Sequence, residues 1–288
     1  MAAKSIGPVG VCTLVKGREG HLHDLLAGLA RGTRPPDYCV VVNMGLCPAA
    51  LPELPFAVLQ HHMPSSGLPL AAARNAAARL AATPGLIFLD VDCIPAAGLV
   101  AALTADMAAA DALLCCEVLY LAAADCGLDE AAMQARGRPH PVRTFPKTGI
   151  RVEANVGLFW SLAFAMRRDS FERLGGFDEG FSGYGAEDTD LAFRARDAGL
   201  PLLFTGSTRA FHQHHAMHDP PLHHFADIVA NSNRFRALHG IWPMEGWLDA
   251  FAALGLVASP FGAPPLRVLR APTPAEVAAS ACPPDRCY

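Results

Sequence analysis

The sequence predicts an α/β fold, a mostly parallel, doubly wound sheet with helices on its faces. Three observations support that class. Short apolar, β-branched runs recur at residues 9–15, 38–45, 56–62 and 86–92. Segments of helical spacing fall between several of them, as repeated β-α-β crossovers require. Polar residues gather just past the carboxyl ends of those runs, where open α/β sheets bind their ligands.

"VGVCTLV" (9–15) reads as the first strand, and "KGREGHLHDLLAGLARG" after it places Leu22, Leu25, Leu26 and Leu29 on one helical face. "YCVVVNMG" (38–45) is a second buried strand and "FAVLQHH" (56–62) a weaker third. "LPLAAARNAAARLAATPG" is an Ala-rich helix that stops at Thr83-Pro84-Gly85. "LIFLDVD" (86–92) is a fourth strand, and "AAGLVAALTADMAAA" a further helix. Residues 121–155, with "GRPHPVRTFPKTG", read as a long excursion outside the core. "LFWSLAFAMRR" (158–168) returns as a strand, followed by a short helix, a glycine-rich loop and a helix from about Glu187 to Ala198, ended by Gly199. "PLLFTG" (201–206) is the last short strand. After a histidine-dense loop, Pro220-Pro221 open a helix with Phe225, Ile228 and Val229 on one face. The Pro- and Ala-rich stretch 259–288 is expected to pack loosely. The remainder reads as one domain, 1–258, with functional halves at 8–120 and 150–240.

Composition narrows the function. The chain has 288 residues, 52% hydrophobic and 17% charged, with a net charge of -4 and no basic run, which argues against a nucleic-acid partner. No stretch reaches the roughly 18 apolar residues of a membrane span. The apolar segment near the N-terminus is too short for a secretory signal. Nine cysteines, odd in number and irregularly spaced, make no disulfide framework and point to a reducing, cytoplasmic setting. Peripheral membrane contact stays open, because an apolar acceptor would need it.

Three constellations carry chemistry. In "FLDVDCIP" (88–95), Asp90 and Asp92 close an apolar run. Alternate strand residues share a side, so both carboxylates could face one ligand while Val91 packs inward. Hard divalent ions such as Mg2+ and Mn2+ take such oxygens and bridge to phosphates. A D-x-D alone is common, however. In "GYGAEDTDLAFR", Gly183 and Gly185 permit a sharp turn, and Glu187, Asp188 and Asp190 crowd the first turn of a helix beside Tyr184. The helix dipole accounts for some acidity there, but crowding costs stability unless something answers it. The third constellation is a run of histidines at 212, 214, 215, 218, 223 and 224. In an extended "FHQHH", His212 and His214 would share a side, suited to one metal. Thr13, Lys16, Arg18 and Asn43 lie at strand ends and Arg74 at a helix start; the three cations could each neutralise a diphosphate or be ordinary surface charge. No P-loop, dinucleotide fingerprint or G-x-S-x-G elbow is present.

Taken in order, these pieces resemble the GT-A-fold glycosyltransferases, above all family 2 enzymes and the catalytic domains of β-1,4-galactosyltransferases and polypeptide N-acetylgalactosaminyltransferases. "VKGREGHL" is similar to their nucleotide-contacting loop. "ARNAAARLA" with "LIFLDVDCIP" resembles the R-N helix and D-x-D strand. "GGFDEGFSGYGAEDTDLAFR" resembles the acceptor and base segment, and "STRAFHQHH" the histidine that completes a metal site. The similarity covers roughly residues 8–240.

The resemblance implies an inverting, metal-dependent hexosyltransferase using a nucleotide-sugar donor, UDP-sugar first, with a glycan, lipid or small-molecule acceptor. It implies Mn2+ (or Mg2+) on Asp92, supported by Asp90, which would also sit by the donor's ribose, with His212 as histidine ligand and His214 its competitor. It further implies Asp188 as base and Glu187 as the acceptor's hydrogen-bond partner. Tyr184 and Gly185 would line the acceptor site, and Trp160 would lie near the donor sugar. The animal galactosyltransferases have a metal-binding methionine, and "STRAFH" lacks one; they also carry a membrane anchor and stem, so a soluble bacterial-type relative is expected. Two alternatives remain at this level: a sugar-nucleotide nucleotidyltransferase, and a non-catalytic sugar- or metal-binding module on the same scaffold.

Overall fold

The computed structural model describes residues 6–125, 127–258, 265–283 and 285–287. In chain order the elements are β1 (Val9–Val15), α1 (Glu19–Ala30), β2 (Tyr38–Asn43), β3 (Ala57–His62), α2 (Leu70–Ala81), β4 (Gly85–Leu89), β5 (Cys93–Pro95) and α3 (Leu99–Ala109). There follow β6 (Leu113–Tyr120), α4 (Glu130–Arg136), β7 (Arg138–Pro139), β8 (Ile150–Val152), β9 (Ala163–Arg167) and α5 (Arg168–Arg173). The last are α6 (Glu187–Asp197), β10 (Leu202–His212), α7 (Phe225–His239), α8 (Glu245–Ala253) and α9 (Pro274–Ala279).

One sheet runs in the order β3-β2-β1-β4-β9-β6-β10-β5, with β7 added to β6 and β8 to β10. Strands β1 to β4 pair in parallel, with α1 crossing from β1 to β2, α2 from β3 to β4, and a loop without a helix from β2 to β3. Beyond β4 the sheet is mixed, because β9 lies antiparallel between β4 and β6. The fold is therefore α/β with a large central sheet flanked by helices, parallel through β3-β2-β1-β4 and again between β6 and β10, with β9, β5, β7 and β8 joined antiparallel.

Period-two alternation assigns the two faces. Cys12, Leu14, Val40, Val42, Leu86 and Phe88 join one core with α2, α6 and Phe235 of α7. Val9, Val11, Cys39, Val41, Ile87 and Leu89 join the other with α1 and α3. On the first face the cross-strand pair Phe88 and Phe164 stacks with ring centroids 4.5 Å apart. A third cluster, Phe225, Ile228, Trp242, Leu248 and Phe251, binds α7 to α8.

Three expectations change. "LLCCEVLY" forms β6, which the sequence reading left unassigned although it pairs with both β9 and β10. The excursion 121–155 contains α4, β7 and β8, and its Arg143 is buried. The expected loose tail begins at residues 259–264, outside the described residues, but its described part is built in. There α9 opens with a capping box between Thr273 and Glu276, and Cys287 is buried in the α1/α3 core. The eight described cysteines are all free thiols. Among the described residues no helix is long and apolar enough to cross a membrane.

Candidate active site

The site lies where β4, β10 and α6 present their ends to one another. β4 stops at Leu89, and the chain turns through Asp90–Asp92, with the Cys93 N–H donating to the Asp90 carbonyl at 2.9 Å. Strand alternation therefore does not apply to the two aspartates. Val91 packs inward as expected, but the turn sends the two carboxylates to different partners.

Asp92 faces the end of β10. Its Oδ1 is 3.5 Å from His212 Nε2, and its Oδ2 is 3.4 Å from His215 Nε2. One ligand atom from each of these residues lies within 4.8 Å of the others. His214 is outside this group and so is Asp90. The reason is local: β10 ends at His212, so the chain turns and brings round the residue three positions on, not two. Arg18 Nη1 also meets Asp92 Oδ2, at 2.5 Å, with 38% of the Arg18 side chain exposed. Burial by itself would raise the Asp92 carboxyl; His212, Arg18 and His215 outweigh it and hold the group below its ordinary value. Burial, against the pull of Asp92, makes both imidazoles less basic than usual, which favours the neutral ring that can give a lone pair. One carboxylate and two neutral imidazoles, converged and half-enclosed, fit a divalent transition metal better than Mg2+.

Asp90 faces the other way. Arg74, 4% exposed on α2, donates from Nη2 to Asp90 Oδ1 at 3.0 Å and from Nη1 to Glu187 Oε1 at 2.8 Å. The cation predicted for a diphosphate is therefore occupied within the protein, joining the D-x-D turn to α6. Burial pushes Asp90 up to about 6 despite Arg74, with Asp92 and Asp188 adding to the rise. Burial, then the Asp188 charge, pushes Glu187 up to about 7 against Arg74. Asp188 is more open. Its Oδ2 accepts from the Ser161 N–H at 3.3 Å and its Oδ1 from the Thr189 N–H at 2.7 Å.

The loop before α6 is conformationally demanding. Gly183 and Gly185 have φ of 77° and 99°, and Ala186 follows at 72°. A Cβ on Gly183 would stand 2.2 Å from the Asp227 carboxylate, so only glycine fits. The loop presents Tyr184, whose ring stacks on His224 at 4.4 Å and lies 6.2 Å from Trp247. Neither His224 as a stacking partner nor Trp247 was singled out from sequence.

The remaining predicted residues divide. Lys16 Nζ donates to the carbonyls of Ser65, Ser66 and Gly67 at 2.9, 2.9 and 2.7 Å, shaping the approach to α2. Asn43 closes a turn, accepting from Gly45 N–H and donating to Cys47 O. Thr13 is 1% exposed, and its hydroxyl has no partner among the described residues. Trp160 meets His140 edge-on at 4.7 Å and receives the Arg143 guanidinium at 4.8 Å from its ring. Tyr120 links this group to the metal candidates, its ring 4.9 Å from that of His212 and 5.9 Å from that of His140. Of these, Trp160 was singled out from sequence, whereas Tyr120, His140 and Arg143 were not, because nothing in their local spacing shows that they meet. A separate cleft of about 670 Å³ behind α6 is lined by Asn75, Asp178, Asp190, Arg194 and His239. Its acids are already paired, Asp190 with Arg194 and His239, and Asp178 with Arg234.

Comparison with known proteins bears on the family and fold of the chain. Residues 139–217 match the family described as the N-terminal domain of galactosyltransferase. Over 194 residues the chain is 27% identical to validoxylamine A glucosyltransferase from Streptomyces hygroscopicus subsp. jinggangensis (strain 5008) and from subsp. limoneus. That match covers 60% of this chain but only 45% and 42% of those relatives, less than half their length. Among solved structures, GalNAc-T7 with UDP, GalNAc and Mn2+ superposes with a TM-score of 0.52 at 17% identity, over 72% of this chain and 43% of that one. TarS residues 1–349 from S. aureus also gives 0.52, at 14% identity, over 80% and 65%. The fold is that of the GT-A glycosyltransferases.

Proposed function

We propose that this chain, a GT-A-fold relative of glycosyltransferases, is an inverting, metal-dependent glycosyltransferase. It would move a sugar from a nucleoside-diphosphate donor, UDP-sugar first, to an acceptor hydroxyl. One observation carries the reading: Arg74 ties Asp90 to Glu187, so the Asp92–His212–His215 group and the open carboxylate of Asp188 are parts of one site.

Asp188 is the base. It is partly exposed, and two backbone donors hold its carboxylate in a fixed orientation. It takes the proton of the acceptor hydroxyl as that oxygen attacks. A single base with attack opposite the leaving group inverts the anomeric centre. Glu187, fixed by Arg74 and next to Asp188, is the carboxyl we assign to hydrogen-bond the acceptor. Tyr184, backed by His224 and flanked by Trp247, offers a flat face to a sugar ring. Asp92, His212 and His215 would hold Mn2+, which stabilises negative charge on a departing diphosphate. Arg18, beside Asp92 and with 38% of its side chain exposed, is the cation best placed to meet the same phosphates. The relatives' named activity, glucosyl transfer to validoxylamine A, favours a small-molecule acceptor over a glycan or lipid, and the UDP and Mn2+ of the GalNAc-T7 structure favour the UDP donor. A cytoplasmic location accords with the free thiols.

The test has two parts. Thermal shift with UDP-, GDP- and dTDP-sugars, with and without Mn2+, identifies the donor by mass action. With that donor, Asp188→Asn is expected to lower transfer by about 10²- to 10⁴-fold while leaving donor binding unchanged. Full activity in this variant would overturn the assignment. Release of pyrophosphate from a nucleoside triphosphate and a sugar phosphate would replace it with nucleotidyl transfer.

A further inference from the structure

We propose that the segment following α9, through its described residues 280–283 and 285–286, is a positioning strap for His215, and through it for the metal site proposed above, on which this inference rests. The three candidate ligands are not held alike. Asp92 and His212 are fixed by the sheet: His212 pairs with Cys93 across β10 and β5, and the Gln213 N–H donates to the Asp92 carbonyl at 2.7 Å. His215 lies beyond the strand. Its own Nδ1 is 3.0 Å from the next residue's carbonyl, which anchors nothing outside the loop.

The next fixed point after Gln213 is at 217–219, and the strap makes it. The Cys282 N–H donates to the Met217 carbonyl at 2.8 Å, and the Asp219 N–H to the Ser280 carbonyl at 2.8 Å. These form an antiparallel bridge between His218 and Ala281. Side chains reinforce it. His218 Nδ1 is 3.0 Å from Ser280 Oγ and 3.1 Å from Val277 O, and Arg286 Nη2 is 2.6 Å from Asp219 Oδ2. The strap is itself tied down, by the α9 capping box before it and by buried Cys287 after it. His215 is thus slung on residues 214–216 between the sheet on one side and the strap on the other. A loop clamped at both ends spends little entropy in presenting a ligand, and a loop free at one end must be ordered by the metal itself.

The experiment is Mn2+ titration of the full chain, followed by calorimetry and by the electron paramagnetic resonance of free Mn2+. Four proteins are compared: the parent, His215→Ala, the strap variant Cys282→Pro with Arg286→Ala, and the combination of all three substitutions. Proline at 282 removes the N–H that Met217 accepts, and both strap changes lie outside the sheet. We expect the strap variant to bind Mn2+ about tenfold more weakly than the parent, the size of effect typical for residues that orient a ligand. His215→Ala should lose at least as much. The combination should bind no more weakly than His215→Ala alone, because both losses act through one ring. Circular dichroism and urea unfolding in EDTA establish that each variant is folded. Should the proline variant not fold, Asp219→Asn with Ser280→Ala removes only the side-chain ties and carries the same expectation. A folded strap variant with parental Mn2+ affinity, or losses that multiply in the combination, overturns the strap. A parent that does not bind Mn2+, or a His215→Ala variant that binds it normally, overturns the metal reading and the strap with it.

Discussion

Arg74 and Glu187 stand 113 residues apart in the chain and 2.8 Å apart in the fold, both almost wholly buried. The same guanidinium reaches Asp90, so a helix from the N-terminal half locks the D-x-D turn to the helix that carries the proposed base. A buried cation between two carboxylates is costly to interrupt from one side, because the remaining charges lose their partner without regaining water.

Arg74→Met should therefore destabilise the protein by about 3–5 kcal/mol, read from urea unfolding. Arg74→Lys should recover only part of this, since one ammonium cannot match the fork that reaches Asp90 and Glu187 together. Loss below 1 kcal/mol in Arg74→Met would mean that the two elements are joined by packing alone.

The pH dependence follows from Glu187. Its folded pKa of about 7 lies above the ordinary 4.5, because burial and Asp188 disfavour the charge. In that window the folded state keeps a proton that the unfolded chain has released. The stabilisation is complete below about 4.5 and is lost as pH rises through about 7. Asp90, at about 6, acts in the same direction. Thermal midpoints should fall between pH 5 and 7.5 in the parent, and Glu187→Gln should flatten that slope. An unchanged slope would assign the effect to other groups.

The histidine loop separates two neighbours cleanly. His215→Ala should weaken Mn2+ binding by about tenfold or more, whereas His214→Ala should leave it within about twofold. The reverse order, measured by the same titration, would restore the i, i+2 pairing that an extended chain suggests.

Gly183→Ala tests the proposed acceptor role of the loop before α6. The new methyl would meet the Asp227 carboxylate, and the residue sits at φ 77°. A cost of at least about 1–2 kcal/mol is expected from the backbone alone. Acceptor KM should rise as Tyr184 shifts, with donor binding preserved. Weakened donor binding would place Tyr184 on the wrong side of the site.

What the sequence disclosed depends on how local each signal was. β1, β2, β3, α2 and α6 lie close to where periodicity and helix stops placed them, because one element's own residues decide them. β6 was hidden because "LLCCEVLY" follows an Ala-rich helix with no glycine or proline between them. The aspartates, the acidic helix start and the histidine run were visible as types. Their pairing was not, because the partners of Asp90 and Asp92 depend on a turn, and those of Arg74 on the crossing of α2 with α6. His215 was passed over for a geometric reason: side-chain alternation holds only while a strand lasts, and β10 ends at His212.

The place of β10 in the sheet bears on how the protein is made. It is the last strand among the described residues, yet it lies inside the sheet, with β6 on one side and β5 and β8 on the other. Until residue 212 has left the ribosome, β5, β6 and β8 each hold an open row of backbone donors and acceptors. Such rows recruit other chains as readily as their proper neighbour. Synthesis that stalls between β9 and β10 would leave a sheet able to join another copy edge to edge, with Asp92 lacking both His212 and His215.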